Sequence, residues 1–171
     1  MKSQDVILGI LMETSASGYE IKQHFERLFS NFYNASYGTI YPTLTKLEQD
    51  GLITKQSLVQ EGRPNKNVYT ITEKGREAFH RYMVSDIQEV EIKSDFMLRL
   101  FFAKYADPTL VIAWLESGIR KSEETISRLQ KEREQWAGQL TPTQLLVINM
   151  GIANQEAIRS NLLLGLEEWK K

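Results

Sequence analysis

Residues 37–53 read YGTIYPTLTKLEQDGLI, and the steps of four and three between Ile40, Leu44 and Leu47 put one apolar stripe on an amphipathic helix. Thr39, Thr43, Lys46 and Glu48 fall on its other faces, so the helix has an inner and an outer side. Pro42 fits only in the first turn, where a missing N–H loses no intrahelical partner, and this starts the helix near Thr39 or Ile40. Gly51 ends it, because glycine accepts the left-handed conformation that closes many helices. Ahead of the helix stands a polar, aromatic lip of Ser36, Tyr37 and Thr39, with Tyr41 just inside. Such groups suit phosphate oxygens and base edges.

The flanking segments extend this helix into a domain. A helix over about residues 4–12 carries Val6, Ile7, Ile10 and Leu11 on one face, and residues 14–18, small and polar, read as a turn. Ser17-Gly18-Tyr19-Glu20 is a capping box, which satisfies two orphan N–H groups and opens a second helix. The inner stripe of that helix is Ile21, Phe25, Leu28, Phe29 and Phe32. Downstream, residues 52–59 and 67–71 form two short strands around a Gly/Pro/Asn loop, although the first does not alternate cleanly. Lys55, Arg63 and Lys66 place positive charge on this hairpin, and Thr72 N-caps a fourth helix through Phe79 and Tyr82. Helix, helix, helix, hairpin, helix is the order of a winged helix-turn-helix, assigned to residues 1–84.

Residues 85–94 are polar and acid-rich, a joint to an all-α half at 85–171. After a short apolar helix with Phe96, Leu98, Leu100, Phe101 and Phe102, Asp107-Pro108 caps a long one. Its positions Leu115, Ile119, Ser122, Ile126, Leu129, Arg133 and Trp136 recur as a heptad seam. Gly138 ends it, and Thr141-Pro142-Thr143-Gln144 opens the last helix, apolar nearly all round over 145–153. Two long helices joined by a short turn form an antiparallel hairpin, which cannot by itself bury apolar residues on more than one face; a partner subunit is the simplest remedy. The fold class is mainly α, an α+β winged helix followed by a helical-hairpin dimerisation domain.

Composition narrows the function. The 171 residues hold 21 basic and 22 acidic side chains, with ten basic and nine acidic through Tyr82, so any basic face is a local patch. There is no cysteine, hence no disulfide and no thiolate chemistry. His24 and His80 lie on different helices without accompanying ligand spacing, which argues against a metal. No nucleophile motif or phosphate loop supports catalysis, and no cofactor is implied. The run 6–12 is too short for a signal peptide, and the run 145–153 is broken by Asn149, so a cytoplasmic protein without a membrane span is expected.

Taken together, the G-Y-E-I at 18–21, Y-G-T-I-Y-P-T-L at 37–44, L-E-Q-D-G-L-I at 47–53, G-R-P-N-K at 62–66 and Y-T-I-T-E-K-G at 69–75 resemble the PadR family of transcriptional regulators. S-D-F-M-L-R-L-F-F-A at 94–103 extends the resemblance to the long subfamily with a helical C-terminal domain. The resemblance implies a sequence-specific DNA-binding regulator that dimerises through its C-terminal hairpin, a repressor released by a small-molecule effector. A two-fold dimer of this kind leads to the expectation of an inverted-repeat operator in double-stranded DNA.

Ser36, Tyr37, Thr39, Tyr41, Thr43 and Lys46 are then the candidates for the groove. Arg63, Asn65 and Lys66 are the candidates for the hairpin tip, which in a winged helix reaches backbone phosphate. Tyr41 reads two ways, as a phosphate contact or as a packing residue with its hydroxyl at the rim. Tyr82, Phe96, Leu100 and Trp114 flank the joint and either line a cavity for a small aromatic effector or simply fill the core. The alternative function is a winged-helix protein-interaction module, or an activator without a ligand.

Overall fold

In the computed structural model, which describes residues 2–26, 37–58, 66–89 and 92–170, the chain divides into the units Met1–Val90 and Glu91–Lys171. The division falls inside the joint read at 85–94 instead of at its start, because the irregular residues after the last helix of the first unit cluster with that unit.

The first unit runs α1 (Ser3–Glu13), β1 (Ala16–Ser17), α2 (Gly18–His24), a 3-10 turn (Tyr37–Thr39), α3 (Ile40–Gln49), β2 (Ile53–Leu58), β3 (Lys66–Ile71) and α4 (Glu73–Met83). The expected stripes become its core: Ile7, Leu8, Ile10 and Leu11 from α1, Ile21 and Phe25, then Ile40, Leu44 and Leu47 from α3, close over Ile53, Tyr69 and Ile71 of the sheet. Leu28, Phe29 and Phe32 lie outside the described residues. The segment read as a turn at 14–18 contains strand β1, with Ala16 opposite Tyr69 and Ser17 opposite Val68. Two residues are too few to show a period of two, so pairing with β3 alone makes them a strand. The sheet is antiparallel in the order β1-β3-β2. Of β2 only Ile53 is buried, since the hairpin projects beyond the core and leaves both faces in water.

The second unit holds α5 (Asp95–Phe101), a 3-10 turn (Ala103–Tyr105), α6 (Pro108–Gln135) and α7 (Pro142–Trp169). Both predicted caps form: Thr109 N–H donates to Asp107 Oδ1 at 2.8 Å, and Thr141 and Gln144 exchange bonds of 2.9 and 3.3 Å. Helices α6 and α7 pair antiparallel. Gly118 is a notch for Leu162, whose Cδ1 lies 2.8 Å from where a β-carbon would stand. Arg133 Nη1 donates to Asn149 Oδ1 at 3.1 Å near one end, and Lys170 Nζ meets Glu116 Oε1 at 3.2 Å near the other.

The seam on α6 is Val111, Leu115, Ile119, Ser122, Ile126 and Leu129, as expected from Leu115 onward. Its last turn differs. Arg133 turns its guanidinium out to Asn149, Trp136 is already the C-cap, and Glu132 is the buried residue, paired with Arg128 Nη1 at 3.2 Å. Helix α7 carries two stripes. Ile148, Ile152 and Leu162 are buried, while Leu146, Met150, Ala153, Ala157, Ser160 and Leu164, again in steps of four and three, are all exposed. Met97, Leu98, Phe101 and Tyr105 add further exposed apolar surface.

Candidate nucleic-acid interface

Helix α3 is closed at its C-terminus by bonds that its own sequence specifies. At its C-terminus Gly51 has φ +70°, Gly51 N–H donates to Glu48 O at 3.0 Å and Leu52 N–H to Leu47 O at 2.9 Å, a Schellman closure. The start of α4 grips the same corner. Thr72 Oγ1 accepts from Gly75 N–H at 3.1 Å and donates to Gly51 O at 2.8 Å, and Lys74 Nζ caps Asp50 O at 2.7 Å. The Leu52 carbonyl sits so close to Gly75 that no β-carbon fits there.

With Ile40, Leu44 and Leu47 buried, the outer face presents Thr39, Tyr41 and Lys46 to solvent and half-buries Thr43. Thr43 Oγ1 donates to Thr39 O at 2.6 Å, which leaves only its lone pairs and methyl group for a ligand. Tyr41 is a packing residue at the rim: it is 56% exposed, yet its ring covers Gly18, where a β-carbon would meet Cε1 at 2.7 Å. The N-terminus of α2 is thereby set beside the first turn of α3. Tyr37 opens the 3-10 turn that leads into α3, and Ser36, Arg63 and Asn65 lie outside the described residues.

Lys66, at the root of the wing, has a partner that sequence reasoning missed. Its Nζ lies 2.9 Å from Oε1 of Glu20, the capping-box residue of α2, whose Oε2 accepts from Ser17 N–H at 2.8 Å and from Ser17 Oγ at 2.7 Å. The bond from Lys66, followed by those from Ser17, pulls the Glu20 carboxyl from 4.5 down to about 2. Lys55 is likewise matched, with Glu48 of α3 at 3.6 Å. The capping motif was legible; its pairing with a lysine 46 residues away was not.

A folded-state pKa below the ordinary value means that this stabilisation is present above about pH 4.5 and is lost as pH falls toward 2. Both partners are more than a third exposed, so after screening it amounts to roughly 1 kcal/mol. Urea titrations of Glu20→Gln should show a deficit of that size at neutral pH that closes on acidification. A deficit independent of pH would locate the effect in the cap geometry.

The second unit contains a cavity of about 410 Å³ lined by Asp95, Phe96 and Arg99 of α5, Trp114, Ser117, Gly118, Lys121 and Ser122 of α6, and Ile158 and Leu162 of α7. Arg99 lies 5.7 Å from the Trp114 ring centroid and binds Asp95 Oδ2 at 2.7 Å. Of the four residues expected to flank an effector, Phe96 and Trp114 are on this lining. Leu100 packs against the neighbouring core, and Tyr82 belongs to α4 of the first unit, its ring 6.1 Å from that of Phe79.

Residues 7–81 match the transcriptional regulator PadR-like family, and residues 92–160 match the virulence activator alpha C-terminal family. The PadR-like transcriptional regulator BC1756 from Bacillus cereus shares 37% identity over 99% of this chain and 98% of its own, with a TM-score of 0.89. The chain belongs to the PadR-like family. As a PadR-like protein it is a DNA-binding transcriptional regulator and not an enzyme.

Two other comparisons extend this result. The structure of smu.1604c from Streptococcus mutans has 43% identity and a TM-score of 0.94, with 98% of this chain and 99% of that one covered. The negative transcriptional regulator PadR of Bacillus subtilis is 29% identical over 80% of this chain and 75% of its own length. That protein has been solved with operator DNA (26% identity, 97% of this chain and 98% of that one covered, TM-score 0.80) and with p-coumaric acid (25%, 98% of each chain, 0.73). Among the described residues of this PadR-like chain no helix is long and apolar enough to cross a membrane, and no cluster of His, Asp and Glu is placed to hold a metal.

Proposed function

We propose that this chain is a homodimeric, cytoplasmic repressor that reads an inverted-repeat operator with the outer face of α3 and releases it on binding a small aromatic acid. The observation that carries the reading is the α3 surface itself: Thr39, Tyr41, Thr43 and Lys46 stand outward over a stripe fixed by Ile40, Leu44 and Leu47. The face is polar, which suits a groove better than an apolar docking partner. The wing residues Arg63, Asn65 and Lys66 are assigned to phosphate. A two-fold dimer sets its recognition helices roughly 34 Å apart, or a multiple of that, and so calls for a palindromic site.

Dimerisation is assigned to the outward stripe of α7, where Ala153, Ala157 and Ser160 between larger ends would let a second helix approach closely. Repression and release are supported by the relative in Bacillus subtilis, a negative regulator solved with operator DNA and with p-coumaric acid. In this chain the cavity walled by Phe96 and Trp114, with Lys121 and the Asp95-paired Arg99 on its lining, offers apolar surface and a lysine to an aromatic carboxylate. A hundredfold loss of operator affinity needs only about 2.7 kcal/mol of differential binding.

Gel shifts on DNA upstream of the protein's own gene test the reading. Thr43→Val keeps the shape but removes the lone pairs, and is expected to change base preference at one position of each half-site. An unaltered preference would take Thr43 out of the groove. Aromatic acids that quench Trp114 should release the DNA. If no such compound shifts binding, the ligand-free alternative stands and regulation is by protein abundance.

A further inference from the structure

Resting on the DNA-binding reading above, we propose that Glu20 is an affinity-setting residue of the interface: it holds Lys66 as a phosphate would, so the wing root contacts DNA only by giving up this internal partner. The placement carries the argument. Glu20 sits in the first turn of α2, Gly18 of the same turn lies under the Tyr41 ring at the head of α3, and Lys66 opens β3 directly after the wing loop. One carboxylate therefore stands where the α2 start, the reading helix and the wing root converge, with Lys66 Nζ 2.9 Å from Oε1.

A carboxylate and a phosphate oxygen offer the same lysine the same kind of charge-assisted bond, so the two compete. Glu20 is further fixed by Ser17, through both N–H and Oγ, and cannot swing away with the lysine. Exchange thus requires Lys66 alone to move, at the cost of its bond to Glu20. Two consequences follow for binding. Lys66 contributes less to counterion release than an unpaired lysine would, and sequence-independent binding is held down.

The experiment measures binding to a mixed-sequence duplex and to DNA upstream of the protein's own gene over a salt series, using the full chain. Glu20→Gln retains an acceptor for Ser17 N–H but frees Lys66. It is expected to bind both duplexes roughly threefold or more tightly and to steepen the log–log salt slope by about 0.9 for each newly contacted phosphate. In the Lys66→Gln background the same change should have no effect on slope or affinity. A gain from Glu20→Gln that persists without Lys66 would mean plain repulsion by Glu20 and overturn the proposal, as would an unchanged slope in the single variant.

Circular dichroism of each variant, with urea midpoints, shows that the compared proteins are folded. Lys46→Ala separates this proposal from the reading on which it rests. If Lys46→Ala weakens DNA binding while Glu20→Gln does nothing, only the competition is wrong. If the wild-type protein binds neither duplex, both fail.

Discussion

Gly75→Ala is expected to destabilise the first unit by on the order of 3 kcal/mol or more, a large share of the 5–15 kcal/mol that typically holds a domain together. The new methyl group would collide with the backbone oxygen of Leu52, and a carbonyl already accepting from Thr72 N–H at 3.0 Å cannot step aside like a flexible side chain. To accommodate it α4 must lift off the corner, which releases the Thr72 bond to Gly51 O and the Lys74 cap on Asp50 O, two of the contacts that hold the C-terminal end of α3. Gly51 is the control. Nothing lies within 4 Å of its missing β-carbon, but its φ is +70°, so Gly51→Ala is expected to cost only about 1 kcal/mol through backbone strain. Urea midpoints at constant m-value would rank the two. If Gly75→Ala proves no worse than Gly51→Ala, the α4 start is not locked against Leu52.

The second large effect is expected on the outward stripe of α7. Met150 and Leu164 are 62% and 61% exposed and, two heptads apart, lie on one line of the helix. Met150→Glu combined with Leu164→Glu would bury uncompensated charge in the proposed dimer, at roughly 3 kcal/mol or more. Dimer dissociation should rise by a factor of at least about 100, and operator binding at nanomolar protein should fall with it. The hairpin core should remain folded, because its own stripe of Ile148, Ile152 and Leu162 is untouched. Light scattering that still finds a dimer, with operator affinity unchanged, would move the interface to another surface such as that around Phe101.

These effects mark the limit of what could be read along the chain. The reading helix was legible because three local signals agreed: the spacing of Ile40, Leu44 and Leu47, Pro42 in the first turn, and Gly51 at the end. The capping boxes at Ser17 and Thr141 and the proline after Asp107 were legible for the same reason, since each acts within a few residues. What escaped was long-range. Strand β1 exists only because β3 lies beside it, and Glu20 shows a cap in sequence but an ion pair only in space. Glu132 took the inner position expected for Arg133; it pairs with Arg128, while Arg133 reaches across to Asn149 on α7. The effector expectation named four residues from their nearness to the joint. Phe96 and Trp114 line one cavity, whereas Leu100, on the same helix as Phe96, packs in the neighbouring core and Tyr82 belongs to the first unit.

The pairing of α6 with α7 also has a mechanical side. Each helix is 28 residues long, roughly 42 Å at the usual rise, and the two are pinned against sliding near both ends and at the Gly118 notch between. A tilt of about ten degrees at one end of a rod this long would displace the other end by roughly 7 Å. The hairpin is therefore a lever arm, and the force needed to move it is set where it is held.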